Sequence, residues 1–267
     1  MGNTTTTNQD SISIMIKSSQ KRKCVQCRNQ SELDAAVALH DVDISILKWQ
    51  DENVCLDNAK ITGSISAKNL FIDGGISMTN AKIGLNFLLD NAIIEKGVII
   101  DRCEIHGMLS VKNARIYENF TVASTKIQQG LRVGNSKVLG YINLCRLQTD
   151  YILIENTTVE KSFFMSSASA GYLWIDNTKI GEQFCLEHAF INHNIELHSV
   201  NIVGHLQLGK SSIFGNLNMD GSFVKNIHHQ EANIKGIFSG PTLMDYIHDK
   251  GLHNFFISLT AARSLKN

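Results

Sequence analysis

The chain has a single proline, Pro241, in 267 residues, and no apolar run long enough to cross a bilayer as a helix, which takes about 20 consecutive apolar residues. Charge of either sign is not in excess, with Lys+Arg and Asp+Glu at 25 each. A basic stripe with interleaved aromatics is also lacking, so no nucleic-acid partner is expected. The six cysteines, Cys24, Cys27, Cys55, Cys103, Cys145 and Cys185, lack the spacing of a disulfide framework, which points to a reducing compartment. The N-terminus lacks the charged-then-apolar order of a secretory signal peptide. Nucleophile elbow, phosphate loop and paired-carboxylate constellation are all missing. The sequence therefore assigns no catalytic residue, no cofactor and no metal.

What the chain does have is a repeat. A branched aliphatic residue recurs at Ile61, Ile72, Ile83, Ile94, Ile105, Ile116, Ile127 and Val138, each 11 residues after the last, and again at Ile180, Ile191, Ile202, Ile213 and Val224. Two positions earlier sits a small residue, as at Ala59, Ala81, Cys103, Ala114, Thr125 and Ser136. An alternating apolar pair follows, such as Leu109/Val111, Phe120/Val122 and Leu131/Val133. Alternation with period two means extended strand, and a fixed period of this kind means a stacked solenoid. Asn69, Asn91, Asn113, Asn135, Asn156 and Asn177 recur every 21 or 22 residues, whereas the intervening elevens carry Asn58, Asn80, Arg102 and Ser124. Alternate units therefore differ, and one coil is expected to hold about 22 residues in two unlike halves. Asparagine tolerates the left-handed backbone of a corner and can hydrogen-bond to its copy on the next coil. The six asparagines are read as a structural ladder along one corner.

With small/aliphatic pairs such as Ala59/Ile61, Ala81/Ile83 and Ala114/Ile116, the chain resembles right-handed parallel β-helix proteins, and among them the pentapeptide-repeat-like quadrilateral β-helices. The resemblance covers roughly two thirds of the chain and implies an all-β solenoid of about eight coils, a rod roughly 38 Å long. It departs from strict fives, which are replaced here by alternating fives and sixes. Members of that family that inhibit DNA gyrase do so as acidic duplex mimics, and the balanced charge argues against that role. Polysaccharide-cleaving β-helices generally carry long loops that build a cleft, and this repeat is nearly free of insertions.

The domain reading is a polar N-terminal segment over 1–33, an N-terminal cap over 34–57, the repeat domain over 58–240 and a helical cap over 241–267. The first segment is rich in Thr, Ser and Asn and is expected to be flexible. Its composition resembles the leader of bacterial type III secreted effectors. Gly2 with Thr6 also fits the myristoylation pattern, with Lys17, Lys21, Arg22, Lys23 and Arg28 as a basic patch behind it. A membrane partner is expected only if Gly2 is acylated. Cys24 and Cys27 have half a zinc-site spacing, with His40 as the one further ligand nearby, and are read as an incidental pair. A short helix with a Ser31 cap is expected to cover the first coil. Beyond Pro241, Leu243, Met244, Ile247, Leu252, Phe255, Phe256 and Leu259 recur at threes and fours, as in an amphipathic helix. That helix either caps the last coil or docks its Phe255/Phe256 face on a second copy or a partner.

Two features of the surface carry further expectations. The least regular stretch runs from about Leu147 to Gly171, and Tyr151, Tyr172 and Trp174 in and beside it are candidates for a partner surface, against a core role. Of the histidines crowding the later coils, only His205 and His228 fall near each other in a 22-residue stacking, so no metal site is expected. The functional expectation is a non-enzymatic rod that presents rigid strand faces to a protein partner, as a bacterial effector-like or adaptor protein in the cytoplasm or, if the leader is real, in a host cell. A bactofilin-like self-assembling scaffold and a carbohydrate-active enzyme are the alternatives.

Overall fold

An aliphatic residue every 11 positions makes half a turn, because the series divides into columns on two different sheets. Ile72, Ile94, Ile116 and Val138 stack directly on one another, while Ile61, Ile83, Ile105 and Ile127 stack on the opposite sheet. The computed structural model describes residues 16–19, 22–26, 29–36, 41–44 and 53–240. Over 53–240 it is a parallel β-solenoid with a spacing of about 22 residues per turn. One turn has four short faces, named here in chain order: Lys60–Ile61, Ile65–Ser66, Phe71–Ile72 and Ile76–Thr79. The first and second faces belong to one sheet, the third and fourth to the other.

Along the fourth face Val54, Ile76, Val98, Phe120, Ile142, Phe163, Phe184, Leu206 and Ile227 follow one another in register, which counts nine turns. The turn beyond the expected eight lies ahead of Asn58, where Val54–Cys55 and Asp41–Asp43 already pair with the regular coils. Inward residues of all four faces form one continuous buried core, with Phe163 stacked on Phe184 at 4.8 Å. No single turn could bury these side chains, so each depends on its two neighbours.

Two corners of every turn are left-handed. One carries Asn69, Asn91, Asn113, Asn135, Asn156, Asn177, Ser199 and Gly221, the other Asn58, Asn80, Arg102, Ser124, Arg146, Ser167, His188, Lys210 and Glu231, all at positive φ. Left-handed backbone costs most residues roughly 1–2 kcal/mol, and asparagine and glycine least. A third corner, between first and second faces, brings neighbouring turns so close that a Cβ on Gly84 would collide with the carbonyl oxygen of Thr62. The small inward residue after the second-face corner has its own task. Ser136 Oγ accepts from Ala114 N–H at 3.1 Å and donates to the Gly134 carbonyl at 2.9 Å. After the other corner Thr125 does the same for Cys103 N–H. The buried amides of Ala114 and Cys103 are thus paired between turns.

Two features ahead of the repeat differ from the sequence reading. Ile16–Ser19 and Arg22–Gln26 form an antiparallel pair, and the second of these runs parallel to Asp41–Asp43, extending the stack. The short helix spans Gln30–Ala36. Its cap is Asn29, whose Oδ1 accepts from Glu32 N–H at 3.0 Å, not Ser31. Leu33 joins the core of the first turn.

Candidate functional site

The site begins with a missing residue. The inward residues of the first and second faces are four apart in most turns, as Ile127 and Leu131, or Ile191 and Ile195. In two consecutive turns they are three apart, Thr149 to Ile152 and Ala170 to Leu173, and the register still matches at both ends. With one residue fewer the corner cannot form. The two faces fuse into single eight-residue strands, Gln148–Glu155 and Ser169–Asp176. Gly130, at φ 147°, closes the last ordinary corner before them, and the Tyr151 ring lies where its Cβ would be.

On the flattened flank the outward side chains form a grid. Tyr151, Leu153 and Glu155 lie in register with Tyr172, Trp174 and Asp176, and Trp174 and Asp176 lie in register with Glu196 and His198. Rows are ~4.8 Å apart and positions along a strand roughly 6.6 Å. Tyr172 and Trp174 are 51 % and 44 % exposed. Tyr172 stacks on His193 with centroids 4.4 Å apart and planes at 17°. Trp174 meets His198 at 5.0 Å and 50°. One turn further on, Phe190 leans on Phe214 at 4.9 Å, and Lys235 Nζ sits 4.1 Å above the Phe214 ring. Beside the grid runs an open hollow of about 660 Å³, lined by Lys126, Gln128, Gln148, Asp150, Tyr172 and His193 among others. Arg132 Nη2 reaches Glu155 at 3.3 Å, and His198 Nε2 reaches Glu196 at 3.4 Å.

Other sequence candidates fall elsewhere. The asparagines occupy one left-handed corner, and Asn91 donates to Asn69 at 3.0 Å, Asn113 to Asn91 at 3.0 Å, and Asn177 to Asn156 at 2.8 Å. They lie apart from the hollow. His205 and His228 approach to 4.9 Å in an edge-on arrangement. Among the described residues no three His, Cys, Asp or Glu converge as metal ligands, and no helix is long and apolar enough to cross a membrane. Gly2, Cys27, His40, Phe255 and Phe256 lie outside the described residues.

Sequence reasoning missed a second set of inter-turn staples. Asp57 Oδ1 accepts from Thr79 N–H and Ser77 Oγ, Asp90 Oδ1 from Lys112 N–H and Ser110 Oγ, and Asn86, Asn194 and Asn216 accept from the backbone of the next turn. The 22-residue separation of Asn194 and Asn216 was a readable signal. Burial holds the Cys103 and Cys185 thiols above the usual thiol range. The His106 hydrogen bond, then Lys82, holds the Glu104 carboxyl below the usual range, and Lys137 does so for Glu160. Compared with family models, with curated proteins and with solved structures, the chain gives no match.

Proposed function

We propose that this solenoid is a non-enzymatic interaction rod whose flattened flank, centred on Tyr172 and Trp174, is the surface offered to a partner protein. The observation that carries the reading is the corner lost in two consecutive turns, with large aromatic side chains left exposed where it is lost. On this flank the exposed aromatics begin in these two turns and continue at Phe190 and Phe214 in the turns that follow. Tyrosine and tryptophan are the residues that dominate protein contacts. The strands hold them in rows fixed by ladders on both sides, so binding them orders little that is not already ordered.

The lining of the hollow is mostly amides and hydroxyls, with one carboxylate, Asp150, one ammonium, Lys126, and the His193 ring stacked on Tyr172. The setting we infer is that of an adaptor or effector-like protein built on a pentapeptide-repeat-like solenoid. A membrane enters only through acylation of Gly2, which alkyne-myristate labelling of the chain and of Gly2→Ala tests directly. The partner reading is tested with a photo-cross-linking amino acid in place of Tyr172 and, as control, in place of Thr121 on the other sheet. One discrete adduct from position 172 and none from 121 is expected. No adduct from 172 overturns the reading.

A further inference from the structure

The flattened flank has a charge that the rest of the chain does not. The three strands Gln148–Glu155, Ser169–Asp176 and Ile195–His198 carry four carboxylates, Asp150, Glu155, Asp176 and Glu196, and not one lysine or arginine. The whole chain has equal numbers of acids and bases. Within the same strands stand Tyr151, Tyr172 and Trp174. The cations that face this patch come from the strands before it. Arg132 is already engaged by Glu155 at 3.3 Å, and Lys126 lines the far side of the hollow. The histidines facing it are His193, stacked on Tyr172, and His198, against Trp174 and Glu196. Among the described residues the Asp150 and Asp176 carboxylates have no cationic partner.

We propose that the partner's contact segment is basic, with an arginine or lysine side chain laid over the Trp174 ring and its neighbours paired to Asp150 and Asp176. Geometry makes the two contacts compatible. Tyr172, Trp174 and Asp176 point outward in a line along one strand, so a cation on the indole face has a carboxylate one step along the row. The ring attracts the cation through its quadrupole, and a planar guanidinium also stacks. The neighbouring carboxylates add an attraction that salt screens. The inference rests on the partner-protein reading above and gives the chemistry of that partner. An acidic protein surface or a nucleic acid would meet four carboxylates and is disfavoured by the same charges.

The test titrates the folded chain with blocked hexa-arginine, hexa-lysine and hexa-aspartate. Trp49 is replaced by phenylalanine so that tryptophan emission reports Trp174 alone, and calorimetry is the second readout. Hexa-arginine is expected to quench the emission and bind more tightly than hexa-lysine, with hexa-aspartate inert. Trp174→Leu should weaken binding about fivefold or more, in the range of a partly desolvated cation–π contact. Asp150→Asn with Asp176→Asn, both at outward positions, should weaken binding and flatten its dependence on salt. Absence of hexa-arginine binding, or affinity unchanged in both variants, overturns the proposal. So does an adduct from position 172 whose cross-linked segment is neutral or acidic, although the partner-protein reading then stands. The loss of the adduct itself, by contrast, strikes the partner-protein reading.

Discussion

Gln30 of the short helix and Cys55 form a two-point pair: Gln30 Nε2 donates to the Cys55 carbonyl and Gln30 Oε1 accepts from Cys55 N–H, each at 2.8 Å. Among the described residues Val54–Cys55 is the first strand of the fourth face and pairs with Ile76–Ser77 on one side only. The side-chain amide therefore does for its outer edge what a further strand would do. An unpaired parallel edge invites pairing with another chain, and a carboxamide that mimics a peptide group blocks it.

Gln30→Ala should therefore free the Cys55 amide. Its hydrogen exchange should speed up while that of Ile76 and Val98 does not. Stability should fall by about 1–2 kcal/mol in urea melts, the loss of two hydrogen bonds at a partly exposed site. Unchanged exchange at Cys55 would show that the pair contributes nothing.

At the asparagine corner, Asn113 has φ 54° and donates to Asn91 at 3.0 Å. Asn113→Ala loses both the left-handed tolerance and the ladder contact, and should cost about 1–2 kcal/mol. Asn113→Gly keeps the backbone tolerance and should cost less, and Asn113→Val should cost most. Equal losses in all three would contradict the corner assignment.

The periodic core was legible because nothing competes with it. Each aliphatic of the 11-residue series is buried, and the Asn69-to-Asn177 series distinguishes a 22-residue turn from an 11-residue one. The flattened flank was legible only as irregularity. Tyr151 and Tyr172 stood out, but with Trp174 they could have faced either way. The three-residue step from Ala170 to Leu173 decides the matter, and its effect depends on register with the neighbouring turns. The acidic grouping of Asp150, Glu155, Asp176 and Glu196 was hidden for the same reason, since it exists only across turns. Asp57 and Asp90 resemble surface charges in sequence, and only their 22-residue reach to Thr79 and Lys112 shows them to be staples.

Thiol reactivity should follow burial. Among the described cysteines Cys55 is exposed, whereas Cys103 and Cys185 are buried, and desolvation keeps both protonated at neutral pH. A maleimide pulse located by peptide mass spectrometry should label Cys55 first, and Cys103 and Cys185 only in denaturant. Cys103 labelled in the native protein at the rate of Cys55 would contradict its place inside the solenoid.

Acid should weaken the rod through its exposed ion pairs. Glu104 and Glu160 have folded pKa values below the ordinary glutamate value, so they bind protons less readily folded than unfolded. Their stabilisation is present above the ordinary value and disappears as pH falls through the lowered one. Melting temperature should thus be level from pH 7 to about 5 and fall below roughly pH 4.5. Glu104→Gln with Glu160→Gln should make that fall shallower by a small amount, because exposed pairs contribute about 1 kcal/mol at most. A fall of the same depth in the variant would remove these pairs from the account.

The proposal that a one-residue shortfall in two turns creates a binding flank is tested by restoring the corner. One glycine inserted after Asp150 and one after Gly171 return both turns to the four-residue step of Ile127 to Leu131. The measurement is the photo-cross-linked adduct from the Tyr172 position, read alongside a thermal melt. A cooperative melt with the adduct lost is expected. An undiminished adduct from the restored corner would contradict the proposal.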